Sequence, residues 1–111
     1  MLDVKMESGE KMDFKTFSDF YPYYLREHTN LHCRQLHFVG TCGVIALLLL
    51  FFFTGNLMTL VLLPIVGYGF AWIGHFGFEK NRPVTFKYPW YSLLGDFRMF
   101  WDILTGRVAA F

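Results

Sequence analysis

Strongly charged residues are missing from a long interval in the middle of this sequence. Between Phe38 and Phe78 the chain contains no Asp, Glu, Lys or Arg. A bilayer core is roughly 30 Å thick and needs about 20 apolar residues per helical crossing, so this interval is long enough for two crossings. Thr54-Gly55-Asn56 divides it where a turn is needed. The absence of charge argues against a water-soluble domain and predicts a helical hairpin in a membrane.

Three further features are not expected from this sequence: a disulfide, a nucleic-acid-binding basic block and a signal peptide. Cys33 and Cys42 are the only cysteines. On one helix they would lie about 13.5 Å apart, too far for a disulfide, so we expect free thiols in a reducing compartment. Ten Lys and Arg are balanced by nine Asp and Glu without forming a basic block, so we expect no nucleic-acid partner. The first apolar run starts too far from the N-terminus, and lacks the cleavage pattern, to be a signal peptide.

The basic residues lie entirely outside the predicted hairpin. Every Lys and Arg comes before His37 or after Phe78, and the connecting turn is uncharged. Positively charged flanks of membrane spans stay in the cytoplasm. We therefore expect both termini, and the open end of the hairpin, to be cytoplasmic.

The other segments complete the predicted fold, which is an all-α membrane protein: a two-span transmembrane helical hairpin flanked by amphipathic interfacial helices. We expect Asp19 to be the N-cap of the first interfacial helix and Pro22 to lie in its first turn. In the last helix, Ser92, Asp96 and Asp102 lie opposite an apolar face. The predicted segments are a flexible tail (1–13) and a single membrane domain (14–111) containing an interfacial helix (about 17–27), two spans (about 30–53 and 57–79) and a second interfacial helix (about 90–105).

The histidines are concentrated at the open end of the hairpin. His37 and His75 lie at similar distances on either side of Gly55, so at about 1.5 Å per residue their depths differ by only about 3 Å. On one continuous helix His28 and His37 would point in opposite directions, so a shared site requires a break in the backbone near residues 28–30. Ionisable groups at the edge of a span are costly to bury, which makes this end the expected functional site.

A stripe of small residues on the second span leads to the same end. Small side chains at helical spacing let membrane helices approach closely, and the stripe offers either a contact with the first span or a surface for homo-oligomers. We expect it to pack on the face of the first span that carries His37, Gly40 and Thr41. The stripe consists of Gly67, Ala71, His75 and Glu79, with Gly74 beside it.

His28, His37, His75 and Glu79 form a candidate ligand set for one divalent metal. Imidazole and carboxylate ligands with open coordination positions are typical of non-haem iron oxygenases, and zinc accepts the same atoms. The residues alone leave both metals open. His32 has the i, i+4 spacing from His28 seen in metal-binding helices, although an interfacial histidine contacting water is the commoner case.

Other roles are open for several of these residues. Glu79 is as well placed to pair with Lys80 or Arg82 at the helix end as to bind a metal. Arg34 and Arg82 have the position of ordinary lipid-phosphate anchors. The functional alternative is that one of them binds a substrate carboxylate.

The same residues form a longer pattern between about Tyr21 and Pro83. It consists of His28, Arg34, His37-Phe38-Val39-Gly40-Thr41 and Trp72-Ile73-Gly74-His75-Phe76-Gly77-Phe78-Glu79-Lys80-Asn81-Arg82-Pro83. The pattern resembles a family of small membrane proteins whose characterised fungal member is an iron(II)-dependent 2-hydroxy fatty acid dioxygenase of the endoplasmic reticulum.

The resemblance implies that His28, His37 and His75 are the functional histidines and that Glu79 belongs to the same motif. His32 falls outside the pattern. This chain is shorter than the fungal enzyme and is similar to a compact bacterial relative, so we expect the bacterial inner membrane and not the endoplasmic reticulum. Cys33 stands where the family commonly has Asn.

Two hypotheses of different classes follow. In the first, the protein binds Fe2+ at the membrane interface and uses O2 to shorten a 2-hydroxy fatty acid by one carbon, with Arg34 or Arg82 neutralising the carboxylate. In the second, the chain is a non-enzymatic hairpin that scaffolds or stabilises a partner through its small-residue stripe. Bound metal distinguishes the two.

Overall fold

The computed structural model describes residues 14–111, and its regular structure is helical. The predicted all-helical class is therefore confirmed for this part of the chain, whereas the predicted tail at 1–13 lies outside the described residues. A 3-10 turn over Val84–Phe86 precedes the last helix. The helices are α1 (Phe17–Arg26), α2 (Leu31–Thr54), α3 (Leu57–Trp72), which continues as a π-helical segment (Ile73–Glu79), and α4 (Pro89–Leu104).

Helices α2 and α3 form the predicted hairpin around Gly55. Gly55 ends α2 in the left-handed conformation, with φ of 67°, which glycine adopts without a steric penalty. Asn56 then starts α3 by accepting a hydrogen bond from the Met58 amide. The helices over Leu31–Thr54 and Leu57–Glu79 are each long and apolar enough to cross a membrane. Their apolar side chains are largely exposed.

Small residues set the distance between the two hairpin helices. A Cβ atom added to Gly40 would lie 3.0 Å from Cβ of Phe70 and 3.8 Å from the Gly67 carbonyl oxygen. At the open end, a Cβ atom on Gly74 would lie 3.0 Å from Sγ and 3.3 Å from Cα of Cys33. The small-residue stripe therefore packs within the chain, as predicted.

Helix α1 packs on α4 through an aromatic core. Thr16, not Asp19, is the N-cap of α1: its backbone is extended and its side chain accepts a hydrogen bond from the Asp19 amide at 3.1 Å. The helix thus begins before the position that an Asp19 cap would give, and Pro22 lies in its interior instead of its first turn. The buried core consists of Phe20, Tyr21, Tyr23, Tyr24, Val84 and Met99.

Helix α4 turns its polar face toward the protein. Asp102 is buried and accepts hydrogen bonds from the Tyr21 hydroxyl at 2.8 Å and from Nε of Arg98 at 3.1 Å. Gly95 is also buried, because the Tyr24 ring lies directly over it. The apolar face points outward, and Trp101 is 53% exposed. Asp102, which the sequence pattern puts on the polar face of α4, is therefore bound by Tyr21 of α1.

Candidate metal centre and adjoining cavity

Three different segments bring His28, His37 and His75 together. His28 lies in the link between α1 and α2, His37 lies within α2, and His75 lies in the π-helical segment. The link supplies the break in the backbone that a shared site requires, and Asn30 caps the new helix. All three side chains are buried.

The Nε2 atoms of the three rings converge, so we call the group the histidine triad. Nε2 of His28 lies 3.2 Å from Nε2 of His37 and 2.9 Å from Nε2 of His75. One nitrogen of each ring lies within 4.8 Å of those of the other two. Two imidazole nitrogens bound at right angles to one ion, each at about 2.1 Å, would be about 3.0 Å apart. The spacing fits a shared metal ion.

The opposite nitrogen of each ring has a hydrogen-bond acceptor. Nδ1 of His28 lies 2.6 Å from the Tyr24 carbonyl oxygen, and Nδ1 of His37 lies 2.9 Å from that of Cys33. Nδ1 of His75 lies 2.7 Å from Oδ1 of Asn81. The orientation of the Asn81 amide is set by Glu27, whose oxygens accept from Nδ2. Each Nδ1 therefore carries the proton and donates it.

This tautomer leaves three unprotonated Nε2 atoms facing one another. Neutral imidazoles protonated at Nδ1 have only a lone pair at Nε2, so they cannot hydrogen-bond to each other. Burial, followed by the neighbouring imidazoles of His37 and His75, holds the pKa of His28 well below its usual range, so a proton does not readily fill the gap. Three converging lone pairs with fixed tautomers are the arrangement by which proteins hold a metal cation.

Glu79 lies outside this arrangement. Its carboxylate accepts hydrogen bonds from the Thr29 hydroxyl at 3.2 Å and from the Asn30 amide. It therefore fastens the end of the π-helical segment to the start of α2. The geometry assigns Glu79 to holding the link that carries His28 and not to the converging nitrogens.

The two arginines considered for substrate binding are also placed elsewhere. Arg34 donates from Nε to the His28 carbonyl oxygen at 2.6 Å and from Nη1 to the Ala109 carbonyl oxygen at 3.0 Å. Arg82 is exposed and its guanidinium lies 5.5 Å from the centre of the Phe86 ring. His32 is exposed beside Phe78 and does not join the triad.

The π-helical segment sets the position of His75. One extra residue in the turn rotates the following side chains relative to an α-helix, and such segments are frequent at functional sites. The segment is capped at its C-terminal end by Lys80, which has a left-handed backbone with φ of 63°. The turn brings Asn81 back onto His75, and the backbone N–H of Asn81 also donates to the His75 carbonyl oxygen. Asn81 belongs to the sequence pattern that resembles the family, but no residue spacing in the sequence predicts its contact with His75.

A cavity of about 310 Å³ adjoins the triad between α2, α3 and α4. Its wall is polar near His37, where Thr41, Ser92 and Asp96 lie, and apolar toward the turn of the hairpin. Neither Arg34 nor Arg82 is among the lining residues. A second, small cavity is lined by His37, His75 and Asp96, among others. The apolar part of the larger cavity is lined by Val44, Leu48, Leu63, Pro64, Gly67, Ala71, Leu93 and Phe97.

No sequence pattern predicts that Asp96 borders this site. It lies on the polar face of α4, which the sequence pattern treats as a solvated face. In the structure the Tyr24 hydroxyl donates a hydrogen bond to Asp96, and the Tyr24 ring stacks on His28 with 4.0 Å between ring centres. A chain of contacts thus runs from α4 through α1 to the triad.

Comparison with protein families gives one match. The family described as 2-hydroxy-palmitic acid dioxygenase Mpo1-like matches residues 14–108. Searches of curated proteins and of solved structures gave no match.

Proposed function

The chain belongs to the Mpo1-like family of 2-hydroxy-palmitic acid dioxygenases, and on that premise we propose that it is an iron(II)-dependent dioxygenase that shortens 2-hydroxy fatty acids by one carbon. The observation that carries this proposal is the histidine triad. Its Nε2 atoms are convergent and buried, and the acceptor at each Nδ1 leaves a lone pair at each Nε2. A scaffolding role does not require such an arrangement.

The proposed metal site is the triad itself. His28, His37 and His75 would hold the ion, which when bound supplies the chemistry with O2. Three protein ligands leave positions for substrate and oxygen. The protein's part is to fix the three tautomers through Tyr24, Cys33 and Asn81 and to keep water from the site by burying all three rings.

The adjoining cavity fits an amphipathic substrate in one orientation. His37 and Leu48 lie on the same helix about 16 Å apart along its axis, with the polar wall at the His37 end and the apolar wall at the Leu48 end. A fatty acid placed with its head group at the polar end would have its carboxylate and 2-hydroxyl next to the triad. Its chain would lie between α2 and α3.

A location in a membrane accounts for the surface of the hairpin. Phe52 is 77% and Phe53 is 86% exposed near the turn, and such a large apolar surface is unstable in water but favourable in lipid. We place the hairpin across the membrane with both termini cytoplasmic. A fatty acid would then reach the cavity directly from the bilayer.

An activity assay tests the proposed reaction. Detergent-purified protein loaded with Fe2+ should consume O2 with 2-hydroxypalmitate and release a fatty acid one carbon shorter, detected by mass spectrometry. Palmitate, which lacks the 2-hydroxyl, serves as the control substrate and should give no product. Failure to convert any 2-hydroxy fatty acid by a protein that retains iron would overturn the proposed reaction but not the metal site.

A further inference from the structure

Asp96 is the carboxyl group in the wall of the cavity. It lies at the polar end, it borders both the larger cavity and the small one beside the triad, and it is half-buried. The proposed substrate is an anion that must bind at this end. An ionised Asp96 would repel it, because two carboxylates in a poorly solvated site disfavour each other's charge.

The surroundings of Asp96 favour its neutral form. Burial raises the pKa of Asp96 to about 7, against the opposing effect of the hydrogen bond from Tyr24. The Tyr24 hydroxyl donates to Oδ1, so the second oxygen can carry a proton. A protonated carboxyl group is a hydrogen-bond donor.

The two arginines considered for binding the carboxylate have other contacts or positions. Arg34 is bound to two backbone carbonyl oxygens, and Arg82 lies outside the cavity lining. A fatty acid in the cavity would therefore contact the Asp96 carboxyl group where an arginine would be expected.

We propose that Asp96 is a substrate-binding residue that, as a neutral carboxyl group, donates a hydrogen bond to the carboxylate of the bound fatty acid. This inference rests on the proposed function. Asp96 thereby fixes which end of the amphipathic molecule enters the polar end of the cavity. Tyr24 positions Asp96 and, through its carbonyl oxygen, also orients His28, so substrate and metal sites share one support.

Anaerobic calorimetric titration of the purified protein tests the inference without turnover. Asp96→Leu should bind 2-hydroxypalmitate about 10- to 100-fold more weakly, the range for loss of a hydrogen bond to a charged group. Asp96→Asn should remain within about threefold, because its amide NH2 donates to the ligand and its carbonyl oxygen accepts from Tyr24. Hexadecane-1,2-diol, which has no carboxylate, should lose clearly less affinity in the Leu variant. Metal content should match that of the wild type.

The outcomes separate this inference from the proposed function. Wild-type protein that binds 2-hydroxypalmitate, together with equal binding by Asp96→Leu, would overturn the role of Asp96 alone. Equal weakening of the acid and the diol would show a merely structural role, and an Asn variant as weak as the Leu variant would show that a hydrogen-bond donor at this position does not bind the carboxylate. Either result rejects the inference.

Wild-type protein that binds neither ligand would reject the proposed substrate as well. Should the Leu variant fail to accumulate, Asp96→Ala removes the same donor without added bulk.

Discussion

The tautomers of the triad depend on three acceptors, and only one is a side chain. The acceptors for His28 and His37 are backbone carbonyl oxygens of Tyr24 and Cys33, which no substitution removes. His75 depends on the amide of Asn81. Partners of metal-binding histidines orient the ring and raise its basicity. Asn81 is thus the position where this second layer of the site can be tested.

Asn81→Ala should weaken Fe2+ binding about 10- to 100-fold, because Nδ1 of His75 loses its acceptor and the ring loses its orientation. Affinity is measured by anaerobic competition with a chelator. Asn56→Ala is the matched control: it removes the N-cap of α3 at the distant turn, at a cost of about 1 kcal/mol in stability. Equal iron affinity in the two variants would show that the contact with Asn81 has no bearing on the site.

Helix α4 contacts Tyr24, whose ring in turn stacks on His28 of the triad. A Cβ atom on Gly95 would lie 2.7 Å from Cδ2 of Tyr24 and 2.8 Å from Cε2. The same Tyr24 ring stacks on His28 with 4.0 Å between ring centres. We therefore expect a side chain at Gly95 to shift the Tyr24 ring and disturb its contact with His28.

Gly95→Ala should destabilise the protein by about 1–3 kcal/mol, the usual effect of overfilling a packed contact, and should lower its iron content. Gly69→Ala is the control, since a Cβ atom there meets nothing within 4 Å and alanine is favoured in a helix. Thermal unfolding in detergent and elemental analysis give the two readouts. A Gly95→Ala protein with wild-type stability and iron would show that α4 does not press on His28.

A larger side chain at Ala71 of α3 could act in two ways, by separating the helices or by filling the cavity, and a substitution there distinguishes them. The small-residue stripe suggests that bulk at Ala71 would push α3 away from α2, but Ala71 lines the cavity. We expect Ala71→Leu to keep its iron and to lose binding of 2-hydroxypalmitate, because the added side chain fills space next to the triad. Val61→Leu, at an exposed position, should change neither. Loss of iron in Ala71→Leu would favour the separation of the helices instead.

The sequence predicts those helices and turns whose determining residues are close together in the chain. The hairpin follows from the uncharged interval, and the break before α2 follows from the directions of His28 and His37. The N-cap of α1 was misplaced because Thr16 and Asp19 are both good caps and only the extended backbone at Thr16 decides between them. Glu79 and Asp96 could not be placed, since their partners, Asn30 and Tyr24, are distant in sequence.

At the scale of the whole molecule, two kinds of packing meet at the triad. The hairpin is held by close helix contacts at glycines and has an apolar exterior, whereas α1 and α4 enclose an aromatic core. His28 comes from the side of the aromatic core, and His37 and His75 come from the hairpin. An ion bound to all three would join the two regions, so metal should also stabilise the fold by mass action.

Anaerobic loading with Fe2+, followed by desalting and elemental analysis, shows whether the histidine triad binds the metal. Wild-type protein and His32→Ala, which alters an exposed histidine outside the triad, should each retain close to one iron per chain. His28→Ala should retain almost none, because the triad is reduced to two nitrogens held on the hairpin. Wild-type protein that retains no iron, or His28→Ala protein that retains as much as His32→Ala, would contradict the assignment of the triad as the metal centre.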